Sequence, residues 1–446
     1  MTQQPSPEQP KFDPAAAHMR RPHLRPVRGF PAKAGEQVVL GLADARQISD
    51  RVVFMAPAVQ YVLPKMDGSR ELDQIVTEVG HGLTRDALEG IVAQLDSAGL
   101  LQGPTFDAMW SKIKSDFDSL PILPPASTAA MADALAQQTL GEDATDELKA
   151  ETGVKRLREV MDEWMSEALK DAQDPSFDTL PKAIVAPHID FPRGWMNYGA
   201  VWGRMRVVDR PDRVLILGTN HFGHGTGVVA CDKGYETPLG VSEVDTDIVH
   251  QLRAKLGDAV FEHRYDHERE HSIEMQVAWV QHCLGADASG KHCKVFAALV
   301  HDPSVNNGES YDGKGIALEP FIKAMKEILP GLPGKTLVIA SADLSHVGPA
   351  FGDQHPLAGE TPEADAGRQR VFQHDQEMLD LFQQRKPEEL VASMAWQQNP
   401  TRWCSTGNLV AAMLITEPTE VRILNYAAAM DQEGMGMVSS FAAVLT

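Results

Sequence analysis

The sequence predicts an α/β fold for the larger, C-terminal part of the chain. A mainly parallel central sheet is expected there, preceded by a small winged-helix-like α+β domain. Three observations carry this reading. Short continuous apolar runs recur from residue 183 onward: Ala183-Ile184-Val185-Ala186, Val214-Leu215-Ile216-Leu217, Val295-Phe296-Ala297-Ala298-Leu299-Val300 and Thr336-Leu337-Val338-Ile339-Ala340. Runs of this kind, bounded by turn residues, read as strands buried on both faces. Helical patterns at Ser272 to Leu284, Leu318 to Ile328 and Arg368 to Gln383 alternate with them, which is the order that builds a parallel sheet. Upstream of residue 105 the order changes to short apolar runs, two helical stripes and a short strand, so a separate small domain is expected.

Composition bounds the answer. With 446 residues the chain accommodates two or three domains and a sizeable core. Hydrophobic residues make up 43% and charged residues 23%, an ordinary globular balance. A net charge of −21 argues against binding nucleic-acid phosphate, so no nucleic-acid partner is expected. No apolar run approaches the ~20 residues of a membrane span, and the polar, proline-rich start has no signal-peptide core. A cytoplasmic protein without a membrane partner is therefore expected. The four cysteines, at 231, 283, 293 and 404, form no CxxC pair, which argues against a zinc knuckle and for reduced thiols.

In chain order, residues 1–30 are rich in Pro, Gln and Arg, with Arg20, Arg21, Arg25 and Arg28 among them, and are expected to be a disordered tail. Residues 31–105 make the winged-helix-like domain. Val38 to Leu42 and Val52 to Met55 are its short apolar runs. Leu72, Ile75, Val76 and Val79 form one helical stripe, and Leu88, Ile91, Val92 and Leu95 a second. The second helix ends at Gly99, and Leu100-Leu101 is expected as a strand. Few basic residues lie on that helix, so docking of a peptide or protein partner fits better than DNA. Residues 106–178 read as a helical linker. Pro121, Pro124 and Pro125 break it, and the stripe from Val154 to Leu169 then marks a long helix. Residues 179–446 form the α/β domain, with late strands at Val421 to Tyr426 and Met437 to Val444.

The strand ends carry the chemistry. Open α/β sheets bind ligands beyond the carboxyl ends of their strands. Here those ends hold His188 and Asp190, then His221, then His301 and Asp302, then Asp343 and His346. His188 and His221 are the metal candidates, because a strand end holds an imidazole rigidly and neutral imidazole binds iron(II), zinc or copper. Two His and one carboxylate leave positions open, and Asp343 and Glu274 are nearby carboxylates. Asp190, two residues from His188, is kept as a supporting or substrate-contact residue.

Two other motifs are weighed. Gly218 to Gly225 follows a strand as a P-loop does, but His224 stands where the phosphate-binding lysine belongs. His267-Glu268-Arg269-Glu270-His271 is a literal HExxH, the zinc-hydrolase motif, which requires both His on one helix. The amphipathic helix instead starts at Ser272, so these residues are expected as a loop. His271 and Glu274 would then face the strand ends from the helix N-terminus.

Pro187-His188, Leu217 to His221, Tyr235 to Gly240, Glu270 to Gln276, Ser341 to His346, Trp403 to Gly407 and Leu424 to Tyr426 follow one another in the order of the Memo-like family, which the chain resembles from about residue 181 to its end. Prokaryotic members look like protein B of the AmmeMemoRadiSam system, which implies a radical-SAM protein and an AMMECR-type protein as partners. The family is similar in fold to the class III extradiol dioxygenases. The resemblance implies Fe(II), with Cu or Zn as alternatives, at His188 and His221, and His346 as the acid/base residue. His271, Asp343 and Glu274 complete the candidate catalytic group. Ser345 stands at a position where some members carry a cysteine proposed as metal ligand, which leaves Asp343 or Glu274 to supply a carboxylate. The expected activity is that of a metal-dependent, dioxygenase-like redox protein acting on a small molecule or modified peptide. A non-catalytic metal-binding scaffold for a radical-SAM system is the alternative, and a zinc hydrolase the third. Met66-Asp67-Gly68, Leu72 to Ile75 and Leu95 to Leu101 resemble the PqqD-like winged helix, which implies a peptide at the N-terminal domain.

Overall fold

The computed structural model describes residues 10–35, 37–141 and 144–446. The chain divides into two compact units, Met1–Ser119 and Leu120–Thr446.

In the first unit the helix α1 (Ala17–Arg20) precedes the strands β1 (Val27–Ala34), β2 (Gln37–Asp44) and β3 (Val53–Met55). They pair as an antiparallel meander in the order β1-β2-β3. The helices α2 (Leu72–Val79), α3 (Arg85–Ser97) and α4 (Pro104–Ser119) follow. Leu72, Ile75, Leu88, Val92 and Leu95 bury the two predicted stripes against Leu42 and Val59. Thr84 caps α3 by accepting from Ala87 N.

Two expectations change here. Residues 10–30 do not form a disordered tail; residues 1–9 lie outside the described residues. Arg25 is buried, donates to the Asp44 carboxylate and to Gly99 O, and lies 3.8 Å over the Phe106 ring. That anchor makes the segment part of the core. Leu100-Leu101 is not a strand; only Leu101 forms a bridge, to Leu24, and the sheet precedes the helices in the chain.

The second unit opens with β4 (Ile122–Leu123), α5 (Ser127–Leu140) and α6 (Asp146–Leu169). The span 106–178 is therefore no single linker. Its first helix, α4, belongs to the first unit, and α5 and α6 belong to the second. There follow β5 (Ala183–Ala186), α7 (Phe191–Met205), β6 (Arg213–Thr219), β7 (Val229–Ala230), β8 (Gly234–Thr237), β9 (Gly240–Ser242) and α8 (Thr246–Leu256). After α9 (His271–Leu284) come β10 (Lys294–Val300), α10 (Leu318–Ile328), β11 (Thr336–Ser341) and β12 (Asp343–Val347). The chain closes with α11 (Pro362–Gln383), α12 (Pro387–Gln397), α13 (Thr406–Thr416), β13 (Val421–Met430) and β14 (Met437–Leu445). α6 packs on α7 at Gly199, where a Cβ would stand 2.6 Å from Trp164 O.

The α/β reading holds, and the main sheet is mixed. Its strand order is β12-β14-β5-β11-β6-β10-β7, with β13 paired to β14. The four apolar runs form its centre, β5-β11-β6-β10, all parallel. β14, β12 and β13 pair antiparallel on one flank and β7 on the other. β5, β6 and β11 are buried throughout apart from partly covered Thr336, as continuous apolar runs in a parallel centre should be. Their carboxyl ends all open toward one side, and the candidate residues stand there.

Candidate metal centre

β5 runs into Pro187 and His188, and β6 into Asn220 and His221. Both turns are gripped by carboxylates. Asp343, at the start of β12, accepts from His188 N at 3.0 Å. Glu270, the N-cap of α9, accepts from His221 N at 3.0 Å, His221 Nδ1 at 3.0 Å and Ser272 N at 3.0 Å. His271 opens α9 with its Nδ1 3.4 Å from the same carboxylate. The rings of His188, His221 and His271 lie 4.7–5.6 Å apart, centroid to centroid. One nitrogen from each falls within 4.8 Å of the others.

Hydrogen bonding fixes which nitrogens face inward. The Ser341 hydroxyl donates to Ser272 O at 2.6 Å, so His188 Nδ1, 3.4 Å away, is the donor to Ser341 Oγ. His188 Nε2 is then the lone-pair nitrogen, and it meets Cys404 Sγ at 3.4 Å. His221 turns Nδ1–H to Glu270, which leaves Nε2 as the nitrogen a metal would take on displacing its proton. A metal-ligating His that hands its other N–H to a carboxylate is oriented and made a stronger donor.

Electrostatics agree with this geometry. Burial, reinforced by His221 and His271, holds His188 well below the ordinary imidazole range, so it is neutral. Burial opposes charge on His221 too, but the Glu270 carboxylate together with Cys404 more than offsets it, and the His221 pKa lies well above the ordinary value. Burial pushes Glu270 up, and the adjacent His221 charge wins, bringing it down to about 2. Burial lowers His271 and His346 and raises Asp343.

His346 and Asp343 line the same cavity, of about 400 Å³, together with the three histidines. A register shift in the β12–β14 pairing lets residues three apart both face it. His346 Nδ1 lies 2.9 Å from Leu344 O. A carbonyl only accepts, so Nδ1 carries the proton and Nε2 is the nitrogen able to exchange one with a ligand. Met131, Phe191, Met275, Phe351 and Val438 form apolar wall. Asp190 lines the mouth, where it caps α7 by accepting from Arg193 N.

Several expected roles are corrected. Ser345 does not face the histidines. Strand alternation turns it away from His346, and its hydroxyl donates to Asp375 and accepts from Trp403 Nε1. Glu274 supplies no free carboxylate: it accepts from Ala126 N, Ser127 N and Thr128 N at 2.9–3.0 Å and from Thr128 Oγ1, capping α5. His267 lies in a 3-10 turn that ends before α9 begins, so the HExxH residues share no helix. It accepts from Tyr235 OH at 2.8 Å and donates to Val229 O at 3.0 Å, inside the core. The glycine-rich loop after β6 wraps a side chain rather than a phosphate. Asp266 accepts from His224 N and Gly225 N, and a Cβ at Gly223 would stand 2.1 Å from its carboxyl carbon. His301 bonds Gly308 O and Asp302 bonds Ser304 and Asn399, both outside the cluster.

Two residues of the centre were not assigned from sequence. Glu270 was readable as an N-cap one residue before His271. Cys404 stands in the Trp403 to Gly407 block just before α13, and a cysteine inside an ordered block was the available signal. The other thiols are enclosed: burial raises Cys231 to about 12 and raises Cys283 and Cys293 as well. Cys404 alone among the four touches the histidines.

The fold and the centre define a class: an α/β protein with a three-histidine cluster at the carboxyl ends of a parallel strand set, and Cys404 against one of its rings. Known proteins narrow it. The family model "Memo-like protein" matches residues 151–444, so the chain belongs to the Memo-like family. It is similar to a "MEMO1 family protein" of Aquifex aeolicus, 24% identical over 351 residues, covering 78% of this chain and 79% of that one. A "MEMO1 family protein" of Caldivirga maquilingensis is 29% identical over 172 residues, 37% of this chain and 54% of that one. One from Desulfurococcus amylolyticus is 28% identical over 198 residues, 43% and 64% respectively. The chain thus spans about half the length of the Caldivirga relative and under two thirds of the Desulfurococcus one. Among the described residues no helix is long and apolar enough to cross a membrane.

Proposed function

We propose that the chain is a metal-binding redox protein whose centre is held by His188, His221 and Cys404, with His271 as a fourth donor. The observation that carries this is the convergence of three imidazole nitrogens within 4.8 Å, with the Cys404 thiol 3.4 Å from His188 Nε2. Imidazole with thiolate suits iron, copper and zinc. The thiol takes the place of the carboxylate expected for a two-histidine iron site: Glu274 caps α5, Glu270 holds the His221 turn and ring, and Asp343 Oδ1 holds the His188 amide. This puts copper beside iron(II) as the metal of choice. A bound redox-active ion would supply electron transfer to or from a substrate, or Lewis-acid activation of it.

The chain's own residues do the rest. Glu270 orients His221 and His271. Asp343 fixes the turn that delivers His188. His346 Nε2 is placed to take or give a proton, and its lowered pKa keeps it a base at neutral pH. The apolar wall keeps bulk water from the buried half of the cavity, whose size admits a small molecule or one side chain of a peptide. Metal analysis of anaerobically purified protein tests this reading. Wild type should carry close to one metal per chain, and His188→Ala and His221→Ala should lose most of it. Full retention in both variants would overturn the assignment.

A second role is proposed for the first unit. β3 is an edge strand, and beside it a groove of about 880 Å³ is lined by Phe54, Val59, Tyr61, Leu83 and Ile91, with Phe54 and Tyr61 exposed. An open strand edge beside apolar pockets suits an extended peptide that adds a strand. Such a peptide, or a radical-SAM or AMMECR-type protein presenting one, is the partner we propose. Phe54→Asp should abolish capture of that partner while leaving metal content unchanged.

A further inference from the structure

Cys404 has no strand behind it. His188 and His221 leave the ends of buried strands, whereas Cys404 lies in the turn between α12 and α13. That turn is conformationally costly: Gln398, Asn399 and Arg402 hold φ values of 59°, 45° and 59°. Residues with side chains persist there only when the surroundings over-determine them. Here they do. Asn399 brackets Trp403, accepting from its N at 2.7 Å and donating to its O at 2.8 Å. Arg402 Nε donates to His346 O at 2.7 Å, and His346 N donates to Thr401 O at 2.7 Å.

The side chain next to Cys404 is the deepest anchor. Trp403 is buried, and its Nε1 donates to Asp375 Oδ1 at 2.7 Å. Asp375, on α11, is fully buried and accepts from three further donors: Tyr426 OH at 2.6 Å, and the hydroxyls of Ser345 and Ser439. Donors from β12, β13, β14 and the turn thus converge on one carboxylate beneath the site. Ser345, which misses the metal, is one of them.

We propose that Asp375 is a positioning residue for Cys404: by fixing the Trp403 indole it sets the turn so that the thiol points at His188 and His221. The inference rests on the reading of Cys404 as a metal ligand. A merely structural role for Asp375 would lower stability without changing how sulfur meets the metal, so the test reads the sulfur–metal bond itself.

The full-length protein is titrated with Co(II), a spectroscopic stand-in that gives a thiolate-to-metal charge-transfer band in the near ultraviolet. Wild type should show the band and Cys404→Ser should lose it. Asp375→Asn and Trp403→Phe should bind Co(II) about 10–100-fold more weakly. At saturating Co(II) their band per bound ion should fall below half of the wild-type intensity. Trp403→Phe keeps the ring and the three hydroxyl donors to Asp375, so it decides the matter if Asp375→Asn fails to fold. If wild type shows no band, or Cys404→Ser keeps it, the ligand reading falls and this inference falls with it. If wild type shows the band, Cys404→Ser loses it, and the Asp375 and Trp403 variants keep it at full intensity and affinity, positioning alone is overturned.

Discussion

Replacing Glu270 by Gln keeps the size of the side chain and one acceptor oxygen while removing the charge that His221 and His271 share. Two effects should separate by pH. The first is loss of orientation and basicity at His221, worth about 10–100-fold in metal affinity, or about 1.4–2.7 kcal/mol. The second concerns the proton. In the metal-free wild type, Glu270 holds the His221 pKa well above its ordinary value of 6.5, so a metal arriving at neutral pH must displace that proton. Without the carboxylate the largest support for the charge is gone, so the His221 pKa should fall and the proton should compete less with the metal. Wild-type affinity should therefore climb more steeply with pH, by about one extra unit of log K per pH unit, until His221 deprotonates. The gap between wild type and variant should be widest at high pH and narrow as pH falls. Competition titrations against a chromophoric chelator, run anaerobically between about pH 6 and pH 9, where imidazole titration falls, read both effects. Equal affinities and equal slopes, or a gap that widens toward low pH, would refute the reasoning.

Four other outcomes are expected. In the metal-free protein Glu270 is depressed from 4.5 to about 2, so its contribution to stability is present above pH 4.5 and lost as pH falls through about 2; denaturant midpoints should drop across that window, and less so in Glu270→Gln. Glu274→Ala should remove the α5 cap and cost about 0.5–2 kcal/mol in chemical denaturation, with metal content unchanged. His267→Ala should destabilise by about 1–3 kcal/mol, because Tyr235 and Val229 lose a buried partner, and should also leave metal content unchanged. Arg25→Met should cost about 3–5 kcal/mol by leaving Asp44 buried without its cation, with unfolding confined to the first unit in hydrogen exchange.

What the sequence could say follows from where each side chain gets its position. His188, His221, Asp343 and His346 inherit theirs from apolar runs, which are visible as runs, so their meeting at one cavity was readable. The parallel centre was legible for the same reason. β13 and β14 were readable as strands but their antiparallel pairing was not, and β12 was missed because it follows β11 after a single residue and carries polar positions at the site. Ser345 and His346 differ by one residue, and the face each takes depends on a register shift that leaves no trace in composition. Cys404 is held by a turn whose bonds reach to Asp375 and His346, partners far away in sequence. Glu274 looked catalytic because it lies one turn from His271; its carboxylate serves amides 146–148 residues upstream. The N-terminal arginines read as a solvated tail because nothing local announces that Arg25 meets Asp44 and Gly99.

The central claim is a centre made of imidazole nitrogen and one sulfur. X-ray absorption at the zinc edge of the zinc-loaded full-length protein tests it most directly. One sulfur at about 2.3 Å together with nitrogen scatterers at about 2.0–2.1 Å is the expected result, and the sulfur shell should vanish in Cys404→Ser. A shell of light atoms only in wild type, or a sulfur shell that survives Cys404→Ser, would contradict the account.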